Sequence, residues 1–160
     1  MKKIIFLYLV VQTVFLYANI HQDEFCVVDK CRNVTFELGD IFSDVLDVYP
    51  NIILRGEKKY SNMTYKEYEY SGIIFSISAY AETERKAHIL KMMVTSKNFI
   101  TKRGIVVGSN RNDVIKAYGD ADRIRGNKFV FLNIEYDHME LIFSFDNFGI
   151  VESIELILGT

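Results

Sequence analysis

The sequence predicts an α+β fold: two tandem α-β-β-β repeats, with short helices packed on antiparallel sheet. Three observations predict it. A helical pattern occurs twice, from Leu38-Gly39-Asp40 to Pro50 and from Val107-Gly108-Ser109 to Gly119, and Gly, Asp, Val and Tyr recur between them at an offset of 69. Each helix is followed by stretches in which apolar residues alternate with polar ones, the period of a strand. The later matches keep the same order. Glu67-Tyr68 recurs as Glu135-Tyr136, and residues 73–77 recur as 141–145, both at an offset of 68, while Leu90, Met92 and Val94 fall on Ile154, Leu156 and Leu158 at 64.

Ahead of the repeats, Met1-Lys2-Lys3 is followed by an apolar run from Ile4 to Tyr17 and a small residue at Ala18. Charge, apolar run and small residue in that order are the parts of a secretory leader, so residues 1–18 read as a signal peptide cleaved after Ala18. The run is too short for a spanning helix, which needs about 20 apolar residues. Export leaves 142 residues with 17 Lys+Arg against 21 Asp+Glu, a net charge of −4 instead of the whole chain's −2. The expected location is periplasmic or secreted, with no stable membrane span after cleavage.

Residues 19–36 form an N-terminal segment that holds both cysteines, Cys26 and Cys31. In an oxidising compartment a close pair reads as a local disulfide. A metal site from His21, Asp23, Cys26 and Cys31 fits no common zinc spacing. Asn33-Val34-Thr35 and Asn62-Met63-Thr64 are glycosylation sequons, informative only in a host that glycosylates exported proteins.

Repeat 1 covers 37–100 and repeat 2 covers 101–160. Asp40 and Ser109 are the expected N-caps, because a side-chain oxygen there accepts from the first helical turn. Val45, Leu46 and Tyr49, like Val114, Ile115 and Tyr118, form one apolar side. Pro50 and Gly119 stop the helices. The expected strands are about 64–70, 72–80 and 87–95, then 129–136, 141–146 and 150–158. Asp146-Asn147-Phe148-Gly149 is a tight turn. The basic clusters Arg55 to Lys59 and Arg123 to Lys128 read as loops.

Alternation assigns Val130, Leu132, Ile134, Leu141, Phe143, Phe145, Ile154, Leu156 and Leu158 to the helix side, with Ile73, Phe75, Ile77, Leu90, Met92 and Val94. The opposite side is the candidate partner-binding face. Its residues are Phe129, Phe131, Asn133, Glu135, Ile74, Lys91, Met93, Ile142 and Glu155, flanked by Ser76, Ser144 and Ile157. Apolar patches of this kind bind something or are covered.

Residues 101–108, the helix up to Tyr118-Gly119-Asp120, and the stretch Leu141 to Asp146 with Gly149 and Val151 resemble the β-lactamase-inhibitor-like fold. That group holds inhibitor proteins of two tandem helix-plus-sheet repeats, many exported bacterial proteins, and the small lipoprotein of the outer-membrane β-barrel assembly machinery. The resemblance covers residues 36–158 and implies non-catalytic protein binding, often through the sheet face. The chain has no lipid-attachment Cys after its leader, unlike the assembly lipoprotein, and nothing in it identifies a β-lactamase as target.

Composition narrows the function classes. A hydrophobic fraction of 49% with 12 Phe and 10 Tyr is that of a folded domain, not a disordered one. A slightly acidic balance gives no footprint for nucleic acid. His21, His88 and His138 lie far apart, and there is no G-x-S-x-G or phosphate loop, so no enzyme, cofactor or metal is expected. The expectation is an exported protein-binding module. The alternatives are an enzyme inhibitor using the same face, and a carrier of a lipid or apolar ligand, which needs an open cavity between helices and sheet.

Overall fold

The computed structural model describes residues 24–61, 63–80, 86–133 and 139–159. The leader expected at 1–18 lies outside them, as do Ile134, Glu135 and most of the charged loop that the sequence predicts at Glu82 to Lys86. Among the described residues the chain is mostly β, with antiparallel pairing throughout and two short helices. No helix among them is long and apolar enough to cross a membrane.

Strand β1 (Cys26–Asp29) is the centre of a three-stranded sheet, between β2 (Val34–Glu37) and β7 (Phe99–Thr101). The other eight strands form one large sheet in the order β3-β4-β5-β6-β11-β10-β9-β8. One meander runs from helix α1 (Phe42–Val48) through β3 (Ile53–Tyr60), β4 (Met63–Tyr70), β5 (Ile73–Tyr80) and β6 (His88–Val94). The other runs from helix α2 (Arg111–Tyr118) through β8 (Arg123–Arg125), β9 (Lys128–Asn133), β10 (Met139–Phe145) and β11 (Val151–Ile157). They join where β6 pairs with β11, Leu156 opposite Met92 and Ile154 opposite Val94.

Four strands therefore follow each helix, not the expected three. The additions, β3 and β8, are the stretches read as basic loops. All their residues are exposed, so burial leaves no apolar alternation for the sequence to display. They are also the two edges of the large sheet, where charged side chains discourage pairing with other chains.

The helices form where expected but are capped one residue later. At α1 the N-cap is Ile41, with no side-chain bond, because Asp40 instead accepts from the Glu37 N–H at 2.8 Å. At α2 the cap is Asn110, not Ser109. Its side chain accepts from Asp113 N–H, and Asp113 accepts from Asn110 N–H, both at 3.1 Å, which closes a capping box. Ser109 Oγ accepts from Val106 N–H. The turn after β10 forms as expected, with Asp146 Oδ1 accepting from Phe148 and Ile150 N–H groups.

Both helices and the small sheet cover one face of the large sheet. Phe36 on β2 meets Tyr49 at 5.5 Å and Phe75 on β5 at 5.3 Å. Under α1, Phe42 meets Tyr68 at 4.7 Å, and under α2, Tyr118 meets Phe143 at 5.3 Å. Burying such rings stabilises the layer by about 1.5–3 kcal/mol each. The space between helices and sheet is packed with side chains.

No disulfide joins the two cysteines. Cys26 starts β1 opposite Glu37, and its side chain is buried; Cys31 lies past Asp29 in the exposed turn of the β1–β2 hairpin. An extended strand rises about 3.3 Å per residue, so the hairpin holds them further apart than the ~4.4–6.8 Å between Cα atoms that a disulfide spans. Spacing suggested a closed loop; the strand straightens it.

Candidate binding face of the large sheet

The face turned away from the helices is set by strand register. Glu155 on β11 sits between Ile142 on β10 and Met93 on β6, and Met93 is opposite Ile74 on β5. Lys91 lies opposite both Ile157 and Ser76. Ile74, Lys91, Met93, Ile142 and Glu155 thus share one face, as the alternation predicts.

Phe129, Phe131 and Asn133 do not share it. Leu141 is opposite Phe131 and Phe143 is opposite Phe129, so β9 presents its phenylalanines to the helices. Phe131 is 1% exposed and lies 5.4 Å from the Tyr118 ring. Phe129 packs edge-on against Phe145 at 4.9 Å, beneath the Arg111 guanidinium. Val130 and Leu132, expected on the helix side, take the other face. The reason is that residues 129–132 are all apolar, so both phases of the strand look buried, and only pairing with β10 chooses between them.

The centre of the open face is an ionic cluster. Glu155 Oε2 accepts from Lys91 Nζ at 2.7 Å, and its Oε1 accepts from Lys128 Nζ at 3.2 Å. Burial opposes ionisation of Glu155, but the two lysines outweigh it and hold the carboxyl below its usual range. Around the cluster, Ile74, Ile142 and Ser144 are buried, while Lys91 and Met93 are half-buried.

Toward the β3 edge the face opens into a groove of about 450 Å³, lined among others by Gly56, Lys58, Tyr60, Tyr65, Glu67 and Ser76. Tyr60 and Tyr65 meet edge-to-face at 5.8 Å and are exposed. Sequence reasoning missed this groove because it treated its outer wall as a loop. The alternation of Tyr65, Glu67 and Glu69 was the available signal.

Two clamps built on buried carboxylates fix the helices. Asp29 accepts from Tyr49 Oη at 2.6 Å and from Cys31 N–H at 2.8 Å, and Arg32 lies over the Tyr49 and Tyr70 rings at 5.0 Å each. Burial raises the Asp29 carboxyl, but these donors and Arg32 outweigh it and leave it below its ordinary value. Tyr49, correspondingly, is pushed strongly up by burial and by Asp29. In the second clamp Arg103 binds Glu24 through Nε at 2.6 Å and Nη2 at 2.7 Å and lies 4.9 Å over the Tyr118 ring. His88 is engaged through Nδ1 with the Gly39 carbonyl at 2.7 Å. Among the described residues no three His, Cys, Asp or Glu side chains gather as metal ligands would.

Compared with known proteins, the chain matches no family model, no curated protein and no solved structure.

Proposed function

We propose that the chain is an exported, non-catalytic protein-binding module, built of two tandem helix-plus-meander units of the β-lactamase-inhibitor-like kind. The observation that carries this reading is the outer part of the open face. β3 is exposed along all eight residues, and beside it the Tyr60–Tyr65 pair walls a groove with Lys58 and Glu67. Tyrosines supply large contact area with a polar tip and suit protein interfaces. The matched helices and hairpins support a repeated unit, and the leader pattern at 1–18 supports export.

The carrier reading lacks support, since rings fill the layer between helices and sheet. The inhibitor reading uses the same surface and differs only in what the partner does.

The test compares cross-linked capture from an envelope or culture fraction by the wild-type chain and by Tyr60→Ser/Tyr65→Ser. The expected result is one partner retained by the wild type and lost by a variant of unchanged circular dichroism. Equal capture by both would remove the groove from the interface.

A further inference from the structure

One buried hydroxyl at the centre of the open face has no hydrogen-bond partner: Ser144 Oγ, on a residue 3% exposed. Ser144 stands on β10 between Lys128 of β9 and Ser153 of β11, next along the face from Ile142, which is opposite Glu155. To reach Glu155, the Lys128 side chain therefore crosses β10 diagonally, between Ser144 and Ile142.

Lys128 is the weaker of the two partners of Glu155. Lys91 holds its other oxygen at the shorter distance, 2.7 Å against 3.2 Å. Two ammonium groups share one carboxylate, so the cluster carries one unmatched positive charge in a half-buried place. Lys128 is also the more exposed of the two lysines, 42% against 35%. The surroundings add to the excess. Arg123 is opposite Val130 and Arg125 is opposite Lys128, which puts both on this face. On β6 and β8 to β11 they make four cations with Lys91 and Lys128, against Glu140, which Arg125 holds at 3.4 Å, and Glu155; Glu67 and Glu69 lie further along the same face on β4.

From this we infer that the Lys91–Glu155–Lys128 cluster with Ser144 receives a carboxylate side chain from an acidic segment of a protein partner. On binding, Lys128 turns from Glu155 to the incoming carboxylate and uncovers Ser144, whose hydroxyl donates to the same group. Lys91 keeps Glu155 neutralised, so no buried charge is left alone. A charged acceptor suits these donors better than a neutral amide, because charge-assisted bonds are about twice as strong. The inference rests on the protein-binding reading and names the chemistry of the partner.

The experiment is an amide chemical-shift titration of the full chain with acetyl-Gly-Glu-Gly-amide and, separately, with its Gln counterpart. The expected result is saturable shifts at Lys128, Ser144 and Glu155 with the Glu peptide, and binding roughly tenfold weaker with the Gln peptide. Lys128→Met abolishes them while Lys91 still holds Glu155, and Ser144→Ala, which removes only the hydroxyl, weakens them. Equal response to both peptides, no saturable shift at these residues, or full binding by Lys128→Met overturns the inference. The titration needs no natural partner, so it separates the two failures. Partner capture that survives Lys128→Met unchanged refutes this site alone, whereas absence of any captured partner refutes the binding reading.

Discussion

In the first half of the molecule Tyr49 ends its helix beneath Arg32, stacked on Tyr70 at 4.2 Å, with its hydroxyl on a buried carboxylate. In the second half Tyr118 ends its helix beneath Arg103, and the carboxylate of Glu24 binds the arginine instead of the tyrosine. The rings beneath also differ, for α2 sets Tyr118 on Phe131 and Phe143 where α1 sets Phe42 on Tyr68 and Phe75. A similar helix thus rests on rings in both halves, its last tyrosine bonded to a buried acid in one and lying under an ion pair in the other. The outer strands differ as well: β3 is eight residues long and flanks a groove, while β8 is three. One half ends in a broad exposed wing and the other in a short stub.

The largest effect expected from breaking this comparison is in the second half. Phe131→Ala leaves a cavity beneath Tyr118 and should cost about 3–5 kcal/mol, read from denaturant unfolding. Retention of full stability would return Phe131 to the open face.

The first half should be most sensitive at Asp29. Asp29→Asn loses the charge that accepts from Tyr49 and pairs with Arg32, at a cost of about 1–3 kcal/mol. Glu24→Gln, at the less deeply buried carboxylate (11% exposed against 3%), should cost less. A reversed order in thermal unfolding would mean that the ion pair, not the buried acid, is the stronger clamp.

Acid should act through the same group. Asp29 and Glu155 both have folded values below their ordinary 3.8 and 4.5. Their contribution is therefore present above those values and lost as pH falls through the lower, folded ones. Asp29→Asn should flatten the fall in stability as pH drops below the ordinary 3.8, measured by denaturant midpoints. An unchanged slope would assign the acid sensitivity elsewhere.

The smallest stability effect is expected at the wing. Tyr60→Ser/Tyr65→Ser should change stability by no more than about 0.5 kcal/mol per site, since both side chains are exposed. Thiol labelling gives a companion check on the hairpin: Cys31 should react in the folded chain and Cys26 only on unfolding.

Much of this architecture could be read from the residues. Val45 and Tyr49, with Val114 and Tyr118, face inward as their spacing requires, and β4, β5, β6, β10 and β11 fall within a residue or two of their expected bounds. These elements carry their own signal, because each buries one side and exposes the other. The site was less readable. Five of its expected residues share the open face, but Phe129, Phe131 and Asn133 lie on the reverse, and the groove was invisible while β3 counted as a loop.

What the sequence determined by itself was local. Helices start near Gly39 and Gly108 and stop at Tyr49 and Gly119, and a hairpin turns at Asp146 to Gly149, because capping, turn chemistry and periodicity act over a few neighbouring residues. Tertiary structure decided the rest. The face of β9 follows from its partner strand, the separation of Cys26 from Cys31 follows from β1 being extended between two neighbours, and β3 and β8 exist as strands because an adjacent strand offers hydrogen bonds. The Lys91–Glu155–Lys128 cluster joins residues up to 64 positions apart. Pairing across such distances is set by register, and register is a property of the assembled sheet.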